Sequence, residues 1–292
     1  MSELLVVQPE VRDALRARRA VVALETTLVA HGFPPGEGVA VGAESERRVR
    51  EAGAVPATIG VLDGAVRVGL GAEALERFDA TARKVGPRDL AACAAQRAVG
   101  ATTVGGTLAV CRAAGIRFMG TGGLGGVHRG WESGRLDVSA DLAELARTQA
   151  LVVSSGVKSL LDVAATAEAL ETLGVPVLGF RTDELPLFYA ARGGPPVSAR
   201  VESPAEATRI AHAHWELGGG GLLLARPADE SLDVEPLIEE ALARAAAQGV
   251  AGQDVTPFVL SFLHERSGGA TLRANRELVV ANAALAAEVA AA

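Results

Sequence analysis

The sequence predicts an α/β fold in which helices cover both faces of a mainly parallel central sheet, in three layers. Short apolar runs alternate with helical patterns along almost the whole chain, which is typical of parallel strands joined by helices. The runs are continuous in Val, Ile, Leu and Ala, as expected for strands covered on both faces. Since no repeat, linker or low-complexity tract divides residues 1–292, we expect a single domain.

The strands are predicted from the apolar runs, and the helices from polar and apolar residues that recur with helical spacing. In chain order, strands are expected at residues 20–25, 57–62, 101–104, 116–120, 150–155, 175–180 and 220–225. Helices are expected at residues 38–52, 88–99, 106–114, 140–147, 158–173, 204–217, 234–248, 254–266 and 271–290.

Residues at the ends of several helices support these predictions. Ser203 and Pro204 precede one helix, and Glu206 completes a capping box there. Glycine, which is favoured just after a helix, follows four others, at Gly53, Gly115, Gly174 and Gly249. Ligands of such sheets bind beyond the carboxyl ends of the strands. This rule directs attention to the loops at 25–38, 84–89, 120–141 and 154–159, with 267–282 as a separate candidate.

Composition and charge argue against several classes of protein. A formal net charge of −7, spread along the chain, argues against a nucleic acid polymer as ligand, because phosphate backbones need clustered cations. Cys93 and Cys111 have neither the spacing of a disulfide framework nor that of metal ligands, which suits a reducing compartment. The first residues do not resemble a signal peptide, and no run of about 18 apolar residues occurs. We therefore expect a soluble cytoplasmic protein.

Lysine is rare in this chain. Of 28 basic residues, only Lys84 and Lys158 are lysine, and the others are arginine. An excess of Ala, Gly, Arg and Val suggests a coding bias that replaced lysine wherever a plain surface cation sufficed. Lysine can form an imine, which arginine cannot, and a compact ammonium group can bind phosphate in a small pocket. Both lysines are therefore candidate functional residues, with chance survival at the surface as the alternative.

Lys158 and Glu25 are the candidate catalytic residues. Lys158 follows one predicted strand and begins the next predicted helix, whose dipole would disfavour its ammonium form and lower its pKa. A neutral amine there could form an imine with a sugar aldehyde, whereas a charged one would bind phosphate. Glu25 ends the first predicted strand, where its carboxylate is suited to proton transfer unless it simply faces water.

Glycine is concentrated in the segment GTGGLGGVHRG, from Gly120 to Gly130, with six glycines in eleven residues. Backbone N–H groups of such a segment can approach an anion closely. Thr121, His128 and Arg129 could add side-chain donors. The spacing does not match a dinucleotide-binding fingerprint, and a flexible loop without a ligand is the alternative.

Further polar candidates flank these segments. Ser139 fits the N-cap of the following helix, and Asp141 its first turn, where a carboxylate is favoured in any case. Alternatively, Asp141 binds a hard divalent cation such as Mg²⁺ or Mn²⁺. Lys84, near the expected edge of the sheet, could bind phosphate. Asn275 and Asn282 lie two turns apart on the last helix, from which one amide could reach a ligand.

In order along the chain, these segments resemble the pseudouridine-5′-phosphate glycosidase family, also called indigoidine synthase A-like. The resemblance extends from about residue 8 to 290 and includes VALETTLVAHGFP, RKVGPRDL, TGGLGGVHRG, LDVSADLAELART, GVKSLLD and VTPFVLSFLHERSGG. It implies an enzyme, dependent on Mn²⁺ or another divalent cation, that reversibly cleaves pseudouridine 5′-phosphate to uracil and ribose 5-phosphate. It also implies a homotrimer.

The resemblance implies roles for individual residues. Lys158 matches the lysine that forms a Schiff base with ring-opened ribose, Glu25 matches the residue that moves the proton at uracil C5, and Asp141 matches the metal ligand. The residues that match polar groups around the ribose phosphate are Lys84, Thr121, His128 and Ser139. Asn275 matches the amide that contacts uracil.

Some positions depart from the family pattern, and two other functions stay open. The departures are Thr26, the pair Gly86-Pro87, the pair Ser154-Ser155, and Ala281 before Asn282, which leaves the role of Asn282 open. One alternative is a different Schiff-base lyase or aldolase that acts on another phosphosugar. The other is a catalytically silent phosphosugar-binding protein, against which the presence of Lys158, Glu25 and Asp141 argues.

Overall fold

The computed structural model describes residues 4–131, 137–250 and 255–292. Its strands are β1 (Leu5–Val7), β2 (Val21–Glu25), β3 (Val55–Leu62), β4 (Ala65–Val68), β5 (Arg83–Val85), β6 (Gly100–Thr102), β7 (Phe118–Gly120), β8 (Val127–His128), β9 (Leu151–Ser154), β10 (Leu161–Asp162), β11 (Val177–Phe180), β12 (Ala199–Val201) and β13 (Leu222–Ala225). Its helices are α1 (Pro9–Arg16), α2 (Thr27–His31), α3 (Glu37–Glu51), α4 (Ala72–Leu75), α5 (Leu90–Ala95), α6 (Val104–Ala114), α7 (Ala140–Arg147), α8 (Val163–Thr172), α9 (Pro204–Glu216), α10 (Glu235–Ala247), α11 (Val255–Arg266) and α12 (Ala270–Ala291).

The main sheet is mostly parallel, as predicted. Its order is β1-β4-β3-β2-β7-β9-β13-β11-β12, with β6 paired to β3 and β5 paired to β6. Every neighbouring pair from β3 to β12 is parallel, whereas β4 and β6 run antiparallel to β3. The chain passes from β2 to β3 on one side and later to β7 on the other, so β2 and β7 form a topological switch point. Ligands of open α/β sheets bind in the crevice at such a point.

Helices cover both faces of the sheet because alternate residues of a strand point to opposite sides. In β2, Val21 and Ala23 pack in one cluster with side chains from α6 and α7. Val22 and Leu24 pack in a second cluster with α3, α9 and α12. All five residues of β2 are buried. This three-layer arrangement accounts for the continuous apolar runs in the sequence.

The longest described helix, α12, brings its polar side chains to the carboxyl edge of the sheet. It has 22 residues and packs against α3, α9 and three central strands. A Cβ atom at Gly120, the last residue of β7, would lie 2.8 Å from Ala283 Cα, so glycine permits this close approach. Asn282 consequently donates to the carbonyl oxygen of Thr121 at 2.9 Å. Neither α12 nor any other helix within the described ranges is long and apolar enough to cross a membrane.

The long apolar runs are strands, as predicted, whereas most of the shortest elements are absent from the sequence prediction. These are β1, β4, β5, β8, β10 and β12, together with α1, α2 and α4. Such short strands depend on cross-strand pairing more than on local pattern. The helix predicted at 88–99 is limited to α5, because Arg97 adopts a positive φ of 53° before the chain enters β6. The helix predicted at 254–266 is α11, and residue 254 lies outside the described residues.

The prediction that Lys158 begins a helix is wrong. The helix, α8, begins at Val163, and Asp162 provides its N-cap. Gly156, two residues after the end of β9, has a φ of +78° and packs so tightly against a neighbouring loop that no Cβ atom would fit. Lys158 lies in the loop that follows, where its N–H group donates to the carbonyl oxygen of Leu124 at 3.2 Å. The expected effect of a helix dipole on Lys158 is therefore absent.

Candidate active site

The switch point between β2 and β7 holds a buried carboxyl group. Glu25, the last residue of β2, is only 5% exposed and accepts a hydrogen bond from the hydroxyl group of Thr121, just after β7. Burial raises the pKa of Glu25 to about 7; the charge of Lys158 and the Thr121 hydroxyl act to lower this pKa, and Asp141 acts to raise it. A carboxyl group that titrates near neutral pH can both give and take a proton.

Lys158 and Glu25 line one cleft at this edge of the sheet. The cleft has a volume of about 660 Å³, which is in the range of small-molecule sites. Lys158 is half-buried there, in the loop after β9. Other polar residues that line the cleft include Lys84, His128, Asp137, Ser139 and Asp141. The cleft therefore combines an amine, a proton-transferring carboxyl group and a group of polar and cationic side chains.

The loop that carries Lys158 is braced by Arg129. The guanidinium group donates to the carbonyl oxygens of Ser159, at 2.7 Å, and Leu161, at 3.3 Å. The same group donates to Glu235 at the start of α10, with one N–O distance of 3.0 Å. These charge-assisted hydrogen bonds join two separate segments of the chain around Lys158. Arg129 thus contacts backbone and carboxylate oxygens, which is a bracing role that the sequence did not predict.

Asp141 is held by backbone N–H groups from two other segments. Its Oδ1 atom accepts from Gly105, in the first turn of α6, at 2.7 Å, and its Oδ2 atom accepts from Gly125 at 3.1 Å. The N–H group of Asp141 donates to Ser139 Oγ at 3.2 Å, which confirms Ser139 as the N-cap of α7. Asp141 is 5% exposed. Its carboxylate therefore joins α6, α7 and the glycine-rich segment.

Asp137 also lines the cleft and is more accessible than Asp141. Its side chain is half-exposed, and one oxygen lies 4.0 Å from Nδ1 of His128. Burial lowers the pKa of His128, although the charge of Asp137 acts to raise it. Among residues 4–131, 137–250 and 255–292, no group of three or more His, Cys, Asp or Glu side chains is placed to hold a metal ion. A hard cation that keeps most of its water needs only one or two carboxylates, which Asp137 and Asp141 could supply.

A small pocket of about 30 Å³ adjoins the cleft, and Lys158 lines both. Most of its other lining residues are apolar. Asn275 of α12, which is 2% exposed, lies at this pocket and donates to the carbonyl oxygen of Gly32 at 3.3 Å. Tyr189 also lines the pocket and is 1% exposed. The side chain of Lys158 is therefore shared by a polar cleft and a mostly apolar pocket.

The sequence of this chain matches a known family over nearly its whole length. The family model described as indigoidine synthase A like protein matches residues 10–292. The chain belongs to this family. A pseudouridine-5′-phosphate glycosidase of Nocardioides sp. is 48% identical, over 98% of this chain and 96% of its own length. The pseudouridine-5′-phosphate glycosidase of Escherichia coli strain K12 is 43% identical, over 99% of this chain and 95% of its own length.

Two solved structures share the fold over nearly the full chain. The prealnumycin C-glycosynthase AlnA, crystallised in complex with ribulose 5-phosphate, has a TM-score of 0.90 and 42% identity, and the match covers 100% of this chain and 97% of that one. An indigoidine synthase A-like protein from Thermotoga maritima has a TM-score of 0.88 and 37% identity, with coverages of 99% and 96%. The fold of the family therefore extends across this whole chain.

In this member of the indigoidine synthase A-like family, the predicted site residues occupy three places. Those that line the cleft are Lys158, Glu25, Lys84, His128, Ser139 and Asp141. Thr121 lies behind the cleft, almost fully buried, with its hydroxyl group on Glu25. Asn275 lies at the adjoining pocket, and Asn282 contacts the backbone after β7. Residues 132–136 of the predicted loop at 120–141 lie outside the described residues.

The sequence analysis did not identify Asp137 or Tyr189 as residues of this region. It named Arg129 as a possible donor but did not predict that Arg129 braces the loop of Lys158. Asp137 lies four residues before Asp141 and offers the same chemistry. Tyr189 is the single tyrosine of the chain, which is a signal that the sequence contains. The contacts of Arg129 join residues that are 30 to 106 positions apart, so no local pattern could have indicated them.

We expect the buried carboxyl group of Glu25 to make the free energy of unfolding fall as the pH rises from about 4.5 to about 7. The pKa of Glu25 is about 7 in the folded protein and has an ordinary value of 4.5. The folded state therefore binds this proton more tightly, and its stabilising effect is lost as the pH rises through the folded pKa. At pH 8, Glu25→Gln should be more stable than wild type by up to about 3 kcal/mol, whereas at pH 4 the two should be alike.

Urea unfolding of wild type and Glu25→Gln at several pH values measures the difference in their free energies of unfolding. Glu168→Gln, a change in the exposed part of α8, is the control and should follow wild type. A free-energy difference between Glu25→Gln and wild type that does not change with pH would contradict the raised pKa.

Proposed function

We propose that this protein reversibly cleaves the C–C glycosidic bond of pseudouridine 5′-phosphate to give uracil and ribose 5-phosphate. The observation that carries the proposal is the position of Lys158 and Glu25 in one cleft, with Lys84, His128 and Ser139 lining the same cleft. Relatives that match over nearly their whole length are pseudouridine-5′-phosphate glycosidases. AlnA, a C-glycosynthase of the same fold, binds a five-carbon sugar phosphate.

The chemistry of a C–C glycosidic bond explains the need for an amine. The bond has no heteroatom at its leaving end, so acid-assisted hydrolysis by two carboxylates is poorly suited to it. In the proposed reaction, the Lys158 amine attacks C1′ and displaces the ring oxygen, which takes up a proton. The nitrogen lone pair then forms a C=N bond as the C1′–C5 bond breaks, and its electrons return to the uracil ring. Water finally hydrolyses the imine and releases ribose 5-phosphate.

Glu25 is proposed to supply the proton that replaces the sugar at uracil C5. With a pKa of about 7, it is protonated in a large fraction of molecules near neutral pH, as cleavage requires. The same group is ionised in the remaining fraction, as removal of the C5 proton in synthesis requires. The hydrogen bond from Thr121 orients the carboxyl group. One residue can therefore serve both directions of the reaction.

We propose that the phosphate group lies against Lys84, His128 and Ser139. Lys84 supplies a positive charge in the cleft, and Ser139 begins α7, whose N-terminal end favours an anion. The polar end of the cleft would hold the phosphate, and C1′ of the opened sugar would then extend toward Lys158. A homotrimer and a location in the cytoplasm are further proposals: the first rests on the family resemblance, and the second on the composition and the two unpaired cysteines.

The cleft is also proposed to hold a hydrated divalent cation, Mn²⁺ or a similar ion. When bound, such a cation supplies positive charge and ordered water beside the phosphosugar. Both oxygens of Asp141, the residue that the family resemblance indicates, already accept backbone hydrogen bonds. Asp137 is half-exposed on the same cleft, so its carboxylate oxygens are more accessible to a cation than those of Asp141. We therefore propose Asp137 as the main protein ligand, with Asp141 beside it.

Asparagine variants of the two carboxylates should separate these roles. Asp137→Asn is expected to weaken Mn²⁺ binding about tenfold or more, with an unchanged free energy of unfolding. Asp141→Asn is expected to lower the free energy of unfolding by about 2 kcal/mol, because an amide cannot accept from both N–H groups. Titration of Mn²⁺ followed by electron paramagnetic resonance, together with urea unfolding, measures both effects. If Asp137→Asn binds Mn²⁺ like wild type and Asp141→Asn does not, Asp141 is the main ligand.

The proposed function is tested by incubating the purified protein with pseudouridine 5′-phosphate and Mn²⁺. Release of uracil and ribose 5-phosphate in equal amounts is expected, as is the reverse reaction from those two products. No release by folded, Mn²⁺-loaded protein would overturn the proposal. Borohydride trapping with a panel of sugar phosphates would then distinguish another Schiff-base lyase from a protein that only binds a phosphosugar.

A further inference from the structure

Asn282, whose role the sequence leaves open, places a fully buried amide at the carboxyl edge of the sheet. Its Nδ2 atom donates to the carbonyl oxygens of Thr121, at 2.9 Å, and Gly122, at 3.3 Å, directly after β7. The same atom lies 3.1 Å from the Oγ atom of Ser155, directly after β9. One side chain of α12 therefore holds the ends of two central strands.

The orientation of the Asn282 amide is set by these contacts. Carbonyl oxygens only accept hydrogen bonds, so the atom that faces those of Thr121 and Gly122 is the donor Nδ2. The Oδ1 atom then lies 3.5 Å from the hydroxyl group of Ser155. The helix backbone is packed so closely against Gly120 that no Cβ atom would fit between them. Asn282 is thus a rigidly held donor to the chain after β7.

The backbone that Asn282 holds carries the hydroxyl group that contacts Glu25. Thr121 donates through this hydroxyl group to the Glu25 carboxyl group, and the hydrogen bond acts to lower the pKa of Glu25. The N–H group of Thr121 donates to the carbonyl oxygen of Val153 at 3.0 Å, and its carbonyl oxygen accepts from Asn282. Because the backbone of Thr121 is held on both sides, its hydroxyl group stays directed at Glu25.

Any influence of Asn282 on the reaction must pass through the residues that it holds. Within the described part of the chain, Asn282 lines neither the cleft nor the small pocket, and none of its surface is exposed. Of the three residues that it contacts, Thr121 is bonded to the group proposed to transfer the proton. The contacts therefore form a path from α12 through Thr121 to Glu25.

We propose that Asn282 is a positioning residue for proton transfer, which holds the Glu25 carboxyl group in its reactive orientation through Thr121. This inference rests on the proposed function and adds to it a residue that does not touch the substrate. Without the Asn282 donor, two buried carbonyl oxygens lose a partner, and the backbone that directs the Thr121 hydroxyl group is released. Proton transfer requires close approach, and a displacement of about 1 Å can lower a rate about 10²-fold.

Asn282→Ala tests the proposal because it removes the donor and keeps both Thr121 and Glu25. The kcat for cleavage should fall about 10²-fold. The KM for pseudouridine 5′-phosphate should change less than about threefold, because the residues proposed to hold the phosphate group are untouched. The pH profile of kcat/KM should move to higher pH, in the same direction as in Thr121→Val, and the double variant should show no further movement.

Infrared titration of the Glu25 carboxyl band, with Glu25→Gln as the reference, measures the pKa of Glu25 without turnover. This pKa should be higher in Asn282→Ala than in wild type. A lower free energy of unfolding together with a wild-type pKa of Glu25 would show that Asn282 has a purely structural role.

Ser155→Ala is the control variant. It removes the other side-chain partner of Asn282 and keeps the donation to Thr121 and Gly122. The kcat for cleavage and the pKa of Glu25 should therefore stay at their wild-type values. If Ser155→Ala moves this pKa as far as Asn282→Ala does, the influence does not pass through Thr121, and the proposal is overturned.

A measurement on wild type decides the question even if Asn282→Ala does not fold. Coupling between two groups is reciprocal, so ionisation of Glu25 should move the NMR signals of the Asn282 side-chain amide, with a midpoint near pH 7. The same signals should not move in Glu25→Gln. Amide signals that stay in place in wild type would overturn the proposal.

Failure of this inference and failure of the proposed function give different results. If wild type releases uracil but Asn282→Ala keeps the wild-type pKa of Glu25, the function stands and the inference is overturned. If wild type releases no uracil but the pKa of Glu25 rises in Asn282→Ala and not in Ser155→Ala, Asn282 positions Glu25 and the proposed function fails.

Discussion

Lys158→Arg should lower cleavage of pseudouridine 5′-phosphate by about 10⁴-fold or more, because loss of a covalent nucleophile has effects of this size. Arginine keeps the positive charge but cannot be deprotonated to form an imine. Lys158 is half-buried at the border of the cleft, so the longer side chain can extend into open space. We therefore expect an unchanged free energy of unfolding and a nearly complete loss of turnover.

Borohydride reduction in the presence of ribose 5-phosphate measures the imine directly. The chain has only two lysines, so mass spectrometry of peptides can assign the reduced adduct to Lys158 or to Lys84. Lys84→Arg is the matched control: it should bind ribose 5-phosphate more weakly but still form the adduct at saturating sugar. Adduct formation in Lys158→Arg at the wild-type level would contradict the role of Lys158.

Glu25→Gln should lower cleavage by about 10²- to 10⁴-fold, the usual range for loss of a general acid. Glutamine has nearly the same shape but cannot give a proton to uracil C5. In wild type, kcat/KM for cleavage should fall as the pH rises through about 7, since cleavage uses the protonated form of Glu25. For synthesis, kcat/KM should instead rise as the pH rises through about 7, because synthesis uses the ionised form of Glu25. The variant should lose both dependences.

Thr121 provides a matched test of this assignment. Its hydroxyl group acts to lower the pKa of Glu25, so Thr121→Val should move the cleavage profile to higher pH, whereas Thr121→Ser should leave it in place. Imine trapping with ribose 5-phosphate should persist in Glu25→Gln, which separates the proton transfer from the lysine chemistry. A wild-type pH profile in Glu25→Gln would show that another group supplies the proton.

The central sheet was predictable from sequence because both faces of its strands are buried. β2, β3, β9 and β13 are buried along their whole length, so their residues form continuous apolar runs. The strand pair β8 and β10 has two residues in each strand and lies outside the main sheet. Its pairing joins segments more than 30 residues apart, which no local pattern reports. Short strands of this kind therefore could not be predicted from the sequence.

By itself, the sequence determined the fold class and the residue types available for chemistry. Lys158 and Glu25 could be identified because Glu25 ends one apolar strand and Lys158 follows another, and parallel strands bring their carboxyl ends to one edge. Tertiary structure alone decided the environment of each group. The raised pKa of Glu25, the brace from Arg129, the anchoring of Asp141 and the hydrogen bonds of Asn282 all depend on contacts between distant segments. Burial and hydrogen bonding between distant segments arise only when the chain packs, so they cannot be predicted from local sequence patterns.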